Sequence, residues 1–291
     1  MELPMPRPST TSTSRIRRFV LLPAFLHLCS LVASPSGAAE DKVLSPPAQH
    51  LMRAFAARYD CALSGVVEIE ARRGAARALH RRLEVASKII GDRLHTYVRF
   101  REPQYIRGVA FLGIEARQSG GDAERFVFLP SLRRIRRVSG GQSGDAFLGT
   151  DLSYHDFERQ QVGDFEVEGS AGSVMAGEPS WELLARPAAA TTFARVHYLI
   201  AQRDHAILRT RYFKRAASKP YKIMEMPRSG MLESGHCRIP SFIRVSEPQR
   251  RTSTELVVTE IQLDRQFDDS LFSMAALETS REVPSLPPDG D

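Results

Sequence analysis

The segment RLHTYVRF, residues 93–100, alternates polar and apolar side chains with a period of two. Leu94, Val98 and Phe100 fall on one side of an extended chain, while histidine and arginine side chains fall on the other. This alternation is typical of an antiparallel strand that buries one face and exposes the other. The segment therefore predicts one strand of an antiparallel sheet.

The same period of two recurs along much of the chain, with turn-forming residues between the segments. Strands are predicted at 66–71, 83–89, 109–116, 125–129, 132–138, 181–185, 193–200, 206–213, 241–245 and 257–263. The pattern lacks the regular alternation of strands and helices that a parallel sheet requires. The sequence thus predicts a mainly β fold, with a few helices and one large meandering antiparallel sheet.

One helix is predicted before the first strand. Ser45 is a good N-cap residue, and Pro46 suits the first helical position. Leu51, Phe55 and Tyr59 then recur every four residues, which places them on one face of the helix. We expect this apolar face to pack on the sheet.

The first 39 residues have the order of a secretory signal peptide, with a basic cluster, an apolar run and small residues. Arg15, Arg17 and Arg18 precede the apolar stretch 19–33, and cleavage is expected after Ala39. A membrane anchor is the alternative, but the stretch is shorter than the roughly 20 residues that span a bilayer. The sequence therefore predicts a cleaved signal peptide and export to the periplasm.

The rest of the chain is predicted to form a single domain over residues 40–283. A cluster of prolines predicts that residues 284–291 form a disordered tail. The whole chain has 291 residues and a formal charge of +6, of which residues 1–39 contribute four Arg and one Glu. Because half of the basic excess belongs to the signal peptide, the charge does not predict nucleic-acid binding.

Two cysteines, Cys61 and Cys237, remain after the predicted cleavage. In an oxidising compartment they can form a disulfide, and the alternative is two buried free thiols that pack as small apolar groups. A zinc site is not predicted, because the sequence has neither a C-x-x-C motif nor an H-E-x-x-H motif.

Three segments form the most distinctive part of the chain: YIRGVAFL at 105–112, FVFLPSLRRIRRV at 126–138 and FLGTDLSYHDF at 147–157. They resemble the outer-membrane lipoprotein-sorting family, the proteins similar to the periplasmic lipoprotein carrier LolA. The family pattern has an R-G-x-x-F-L strand, a Y-L-P-x-L-K-R-V-R-R-I hairpin and an F-x-G-S-D-F-S-Y-E-D-L loop. The residues of this motif are Gly108, Pro130, Arg133, Arg134, Arg136, Arg137, Gly149, Asp151, Tyr154 and Asp156. Departures from the pattern are Phe128 for Tyr, Arg133 for Lys, Thr150 for Ser and His155 for Glu.

The resemblance implies a curved, incomplete antiparallel barrel with helices packed on its concave side. It also implies a carrier that shields the acyl chains of lipoproteins or lipids, without a cofactor or a catalytic residue. Under the same resemblance, we expect the carrier to be a monomer with an inner-membrane transporter as a partner. We do not expect it to bind nucleic acid. The alternative is a lipid-binding accessory protein of an RND-type envelope exporter, which uses the same fold for another cargo.

Six aromatic residues are candidates to face an apolar ligand: Phe111, Phe126, Phe128, Trp181, Tyr198 and Tyr212. The pattern of the strands predicts that each of these side chains is buried. It leaves open whether each one lines a ligand cavity or packs in an ordinary core.

The hairpin contains four arginines, and four guanidinium groups cannot be buried without partners. We expect them to pair with Asp151 and Asp156, and thereby to tie the following loop to the sheet. The alternative is a docking patch for lipid headgroups or for an anionic partner.

Ser153, His155 and Asp156 contain the residue types of a hydrolase triad, so a periplasmic hydrolase is the alternative from another functional class. Their position within four residues argues against it, because the members of a triad usually come from separate segments. The chain also lacks the G-x-S-x-G motif of a nucleophile elbow. The sequence therefore predicts a binding protein and no enzyme.

Overall fold

The computed structural model of the protein describes residues 44–116, 123–138, 144, 146–147, 149–264 and 266–284, without the side chains of Phe157 and Ser170. The predicted signal peptide and residues 285–291 of the predicted tail lie outside the described residues. Within the described part of the chain, no helix combines the length and the apolar character needed to cross a membrane.

The described residues form fifteen strands and two α-helices. The helices are α1 (Pro46–Tyr59) and α2 (Met274–Glu278). The strands of the first half are β1 (Leu63–Arg73), β2 (Leu79–Ile90), β3 (Arg93–Glu102), β4 (Ala110–Ala116), β5 (Ala123–Leu129) and β6 (Arg134–Arg137). Those of the second half are β7 (Phe165–Met175), β8 (Glu178–Pro187), β9 (Arg195–Ala201), β10 (Ile207–Phe213), β11 (Lys222–Glu225), β12 (Met231–Ser234), β13 (Cys237–Pro240), β14 (Phe242–Glu247) and β15 (Thr252–Leu263).

Thirteen strands form one antiparallel sheet in the order β6-β5-β4-β3-β2-β1-β15-β14-β11-β10-β9-β8-β7. The remaining two, β12 and β13, pair separately as a hairpin. The sheet is not closed into a barrel, because its edge strands β6 and β7 do not pair with each other. The predicted fold, one large antiparallel sheet in an incomplete barrel, is confirmed.

The sheet curves around its inner face, where one apolar cluster contains residues from both halves of the sheet. Phe100 of β3 and Tyr198 of β9 both belong to this inner cluster. Helix α1 packs on the same face, as predicted, with Leu51 and Phe55 fully buried. The rings of Phe55 and Tyr198 lie 5.5 Å apart, edge to face. The apolar stripe of the helix thus covers part of the inner face.

A second apolar cluster lies on the outer face, between the sheet and the C-terminal segment. Tyr97 and Leu112 pack there against Phe272 and against Leu277 of α2. The Tyr97 hydroxyl also donates a hydrogen bond to the carbonyl of Arg281 at 2.9 Å. The sequence pattern does not predict α2, which lies on the face opposite to α1.

Four strands lie outside the predicted segments: β7, β11, β12 and β13. Strand β7 interrupts its alternation with small residues between Gly169 and Gly172. The other three strands have four residues each, and so few side chains do not display a period of two. These strands were missed because their local sequence carries a weak signal.

A disulfide joins Cys61, just after α1, to Cys237 at the start of β13, with the two Cα atoms 5.9 Å apart. Both side chains are buried together with Ile239. The bond holds the hairpin of β12 and β13 against the C-terminal end of α1. His236 lies close to both sulfurs, but sulfurs that form a disulfide are not thiolate ligands for a metal ion.

We predict that the Cys61→Ala/Cys237→Ala variant is less stable than the wild type by up to about 5 kcal/mol. The reason is that the disulfide spans 176 residues, and removing it frees the unfolded chain. Urea unfolding of the variant and of the oxidised and reduced wild type measures the effect. Identical unfolding midpoints for the oxidised wild type and the variant would contradict the prediction.

Candidate functional site

The connection between β6 and β7 determines what covers the inner face. These two strands are consecutive in the chain but lie at opposite edges of the sheet, and the described residues of their connection pack on the inner face. We call its residues 149–164 the strap. Leu152 of the strap and Phe147 just before it are buried in the inner cluster. The strap and α1 together cover the concave side of the sheet.

One end of the strap is bonded to the start of β15. The side chain of Asp151 accepts hydrogen bonds from the hydroxyls of Thr252 and Thr254, the latter at 2.8 Å. The backbone N–H of Asp151 donates to the Thr254 hydroxyl at 2.9 Å. Thr254 is fully buried, so these bonds are shielded from water. They fix this end of the strap to a central strand.

The middle of the strap is held by a buried ion pair between Asp156 and Lys222 of β11. Their side chains are 2% and 6% exposed. Asp156 also accepts hydrogen bonds from the backbone N–H and the hydroxyl of Ser153, at 2.6 and 2.9 Å. The carboxylate therefore closes a helical turn of the strap and attaches that turn to the sheet.

The other end of the strap is tied to β4, β5 and α1 by a half-buried charge network. Arg125 of β5 lies 3.1 Å from Glu115 of β4 and 2.9 Å from Glu158 of the strap. Arg159 donates to Asp60, after α1, at 2.7 Å, and its backbone N–H donates to Glu115 at 2.5 Å. Burial raises the pKa of the Glu115 carboxyl, against the opposing effect of these two hydrogen-bond donors. The network joins three elements to the strap.

The predicted pairing of the hairpin arginines with Asp151 and Asp156 is wrong. All four arginines, Arg133, Arg134, Arg136 and Arg137, are exposed, and none contacts a carboxylate within the described part of the chain. The physical reason is that β6 is a short edge strand, whereas both carboxylates belong to the strap and are bonded to β15 and β11. Arginine–carboxylate pairs do tie the strap to the sheet, but they use Arg125 and Arg159 instead.

Three of the six candidate aromatic residues belong to the inner cluster: Phe111, Tyr198 and Tyr212. The Phe111 ring lies 6.3 Å from that of Tyr154 in the strap, and the Tyr212 ring lies 5.1 Å from that of Phe193. Trp181 packs at the margin of this cluster, stacked on His50 of α1 with ring centroids 3.7 Å apart.

Phe126 and Phe128 point to the opposite face. Phe128 is buried in the outer cluster, and Phe126 packs against it. Alternation along β5 puts both side chains on that face, while Val127 between them packs on the inner cluster. The structure thus brings four of the six aromatic candidates together on the inner side.

Two motif glycines have backbone conformations that favour glycine. Gly108 and Gly149 have φ angles of +80° and +83°. A Cβ atom at Gly108 would lie 3.3 Å from Cγ of Pro130, so this glycine also allows two turns to approach each other. Both glycines therefore shape turns next to the strap and the hairpin.

Ser153, His155 and Asp156 do not form a catalytic triad in this structure. The Ser153 hydroxyl bonds to Asp156. The two ring nitrogens of His155 lie 2.8 Å from Glu158 and 3.4 Å from Gln160. A hydrolase needs the serine bonded to the histidine, and here each has a different partner.

The buried tyrosines of the inner face are unsuited to proton transfer at neutral pH. Burial raises the pKa of Tyr198 and of Tyr212 well above the ordinary value for a phenol. The Tyr212 hydroxyl donates to Sδ of Met224 at 3.8 Å. These side chains offer an apolar lining with hydroxyls that remain neutral.

The space inside the sheet is almost filled. The cavity between Tyr198, Tyr212, Asp156 and Arg58 has about 20 Å³, roughly the room of a single water molecule. At the end of the sheet where β15 begins, an open groove of about 370 Å³ is lined by strap residues 150–153 and by Lys214, Lys222 and Arg250. Beneath the strap, the described residues around Tyr198 and Tyr212 thus leave room for about one water molecule, whereas the groove at that end is open.

Sequence reasoning missed the residues that hold the strap: Asp60, Glu115, Arg125, Glu158, Arg159 and Lys222. Their partners are distant in the chain, since Asp156 and Lys222 are separated by 66 residues and Arg159 and Asp60 by 99. No local motif marks such pairs. Strand β11 reads K-I-M-E, so Lys222 is one of two charged residues in it and its own sequence does not mark it as buried.

Residues 92–279 match a family model described as "Uncharacterized protein". The chain belongs to that family. The match spans more than half of the chain, and it includes the distinctive segments and the strap. No curated protein sequence matches the chain.

Two solved structures with the same fold match this chain with nearly equal TM-scores. A DUF1329 family protein from Desulfovibrio piger has a TM-score of 0.73 and 19% identity, with 79% of this chain and 97% of that chain covered. A domain assigned to outer membrane lipoprotein sorting, from Vibrio parahaemolyticus, has a TM-score of 0.72 and 16% identity, with 80% and 98% covered.

A third solved structure is a LolA superfamily protein from Nitrosomonas europaea, with a TM-score of 0.62 and 18% identity. The match covers 80% of this chain and 100% of that chain. At these identities the likeness concerns the fold. The resemblance to the lipoprotein-sorting family, predicted from the three motif segments, is confirmed at the level of the fold.

We predict that Lys222→Met lowers the free energy of unfolding by about 3–5 kcal/mol, because Asp156 then remains buried without a countercharge. Urea unfolding measures the loss. The double variant Lys222→Met/Asp156→Asn should be more stable than the single variant, since it buries no charge. A matched control is Arg244→Gln, whose exposed pair with Glu255 contributes at most about 1 kcal/mol. Equal stability of Lys222→Met and the wild type would refute the structural importance of this pair.

Proposed function

We propose that the protein is a periplasmic carrier or binding protein that shields the acyl chains of lipoproteins or lipids. The main support for this proposal is the covered inner face, an apolar cluster enclosed by a curved sheet, by α1 and by the strap. The likeness in fold to a lipoprotein-sorting domain supports it. The predicted signal peptide supports the location.

The chemistry of the inner face suits acyl chains. Leu183, Val196 and Ile200 are fully buried there, beside the aromatic side chains already described. Each CH₂ group moved from water to such a surface gains about 0.8 kcal/mol. A chain of a dozen CH₂ groups thus offers about 10 kcal/mol.

Binding requires that the strap moves, because the interior is filled when the strap is in place. The strap is attached by polar bonds at Asp151, Asp156 and Arg159, in addition to the apolar contacts of Leu152 and Tyr154. Polar bonds to a moving segment can be replaced by water once the segment leaves the sheet, whereas the apolar inner face cannot be hydrated without cost. We propose that cargo takes the place of the strap side chains Leu152 and Tyr154.

Transport by this route is binding and release, so the proposal needs no catalytic residue and no cofactor. It includes an inner-membrane transporter as the donor of cargo and a monomeric carrier. Lipid mass spectrometry of protein purified from the periplasm identifies the cargo class. Purified protein that carries no acyl-containing molecule and binds none in solution would refute the proposal.

We predict that a disulfide between the strap and β15 blocks acyl binding. Asp151→Cys/Thr254→Cys replaces two side chains that are in direct contact, so oxidation should lock the strap onto the sheet. Fluorescence titration with a long-chain fatty acid probe should detect no binding to the oxidised variant, and binding should return on reduction.

Two controls make this test specific. Arg244→Cys/Glu255→Cys adds a disulfide between facing residues of β14 and β15, away from the strap, and should bind the probe in both redox states. The wild type must also be titrated under both conditions, because reduction opens its own disulfide. Undiminished binding to the locked strap would show that cargo does not enter beneath it.

A further inference from the structure

One end of the sheet gathers six connections between strands. In an antiparallel sheet, alternate connections lie at the same end, and the pairing of Arg73 with Thr252 places β1 and β15 there together. These connections cover residues 74–78, 103–109, 130–133, 188–194, 214–221 and 248–251. We call them the rim. The open groove and the Asp151 bonds of the strap lie at this same end.

The rim is basic in five of its six connections. Its six connections contain eight Lys or Arg residues and no Asp or Glu. Three connections hold one arginine each, at Arg77, Arg107 and Arg133. Two others hold Lys214, Arg215 and Lys219, and Arg250 and Arg251. All eight side chains are exposed.

Most of these charges have no countercharge. Within the described residues, only Arg250 contacts a carboxylate, that of Glu247 at 3.2 Å. Arg107 donates to the backbone carbonyl of Arg101, and Lys214 donates to that of Thr192. Backbone carbonyls do not neutralise a cation, so the rim keeps a concentrated positive potential.

At the opposite end of the sheet, two arginines do have countercharges. Arg228 and Arg238 lie there, and each contacts the carboxylate of Asp204, at 2.8 and 3.1 Å. Arg228 also contacts Glu178 at 2.7 Å. These two cations are neutralised within the protein, whereas most cations of the rim face solvent without a countercharge.

The rim also carries two exposed apolar tips. Tyr105 and Leu132, in two of its connections, are 72% and 54% exposed. The Tyr105 ring lies 5.4 Å from the guanidinium of Arg81, which orients it while its surface stays open. A tyrosine and a leucine surrounded by cations suit the boundary between lipid headgroups and acyl chains. Neither side chain is explained by packing in the fold.

We propose that the rim docks on a bilayer surface rich in anionic phospholipids. The guanidinium and ammonium groups match phosphate oxygens, and each basic side chain near an anionic surface adds to the attraction. Tyr105 and Leu132 enter the headgroup boundary. The docked orientation turns the open groove toward the bilayer. This inference adds a membrane surface to the proposed function and does not depend on the identity of any cargo.

Co-sedimentation with vesicles tests the proposal. Vesicles of phosphatidylcholine alone should bind little protein, and vesicles containing one third phosphatidylglycerol should bind most of it. Binding should be strong at about 0.1 M salt and lost at about 1 M, where the screening length falls from about 10 Å to about 3 Å. Wild-type protein that does not distinguish the two vesicles would overturn the proposal.

A rim variant and a control variant localise the effect. The rim variant is Arg133→Gln/Arg215→Gln/Lys219→Gln/Arg251→Gln, and its affinity for anionic vesicles should fall by about a hundredfold to a thousandfold. The control variant is Arg53→Gln/Arg93→Gln/Arg203→Gln/Arg244→Gln, which removes the same charge outside the rim and should bind nearly as the wild type does. Equal losses in the two variants would mean a general charge effect and would overturn the assignment to the rim.

The apolar tips and the cargo are tested separately. Leu132→Gln should weaken binding to anionic vesicles about tenfold without changing the melting temperature, since the side chain is exposed. The rim variant should still bind the fatty acid probe in solution, because its four substituted side chains are exposed and lie outside the inner cluster. If the wild type binds anionic vesicles but not the probe, the proposed carrier function is refuted and docking stands. If it binds the probe but not the vesicles, docking is refuted and the carrier function stands.

Discussion

The structure depends on one topological constraint: the chain leaves the sheet at β6 and re-enters it at β7, on the opposite edge. The described part of the connection packs on the concave side, where Leu152 and Tyr154 meet the inner cluster, and this makes a cover for the inner face. The cover stays in place because Asp156 meets Lys222 in a site from which water is excluded. A buried ion pair of this kind holds a geometry more than it adds stability.

The two faces of the sheet are closed in different ways. The C-terminal segment seals the outer face with apolar side chains such as Phe272 and Leu277. The strap is attached to the inner face by charges and hydroxyls at Asp151, Asp156 and Arg159, as well as by a few apolar side chains such as Leu152. Polar attachment can be exchanged for water, so the inner cover is the one suited to open. The basic rim lies where the open groove ends, which places the access route and the docking surface together.

Sequence reasoning predicted what depends on local pattern and missed what depends on distant contacts. The period of two in β3 and the apolar stripe of α1 are local, and both elements are present as predicted. The partners of Asp151 and Asp156 were misjudged, because nearby arginines were the plausible partners in the sequence. The actual partners, Thr254 and Lys222, are 103 and 66 residues away. The charge of the rim emerges only when antiparallel pairing brings six separate turns together.

Hydrogen exchange in the strap tests the central claim, that the strap is the movable cover of an acyl-binding face. The measurement compares amide exchange in free protein and in protein saturated with a long-chain fatty acid. Residues 149–164 should exchange faster when the ligand is bound, because bonds such as that between Asp151 N–H and the Thr254 hydroxyl are broken. Amides of β2 and β3 should keep their slow exchange. Saturation with ligand while the strap remains fully protected would contradict the account.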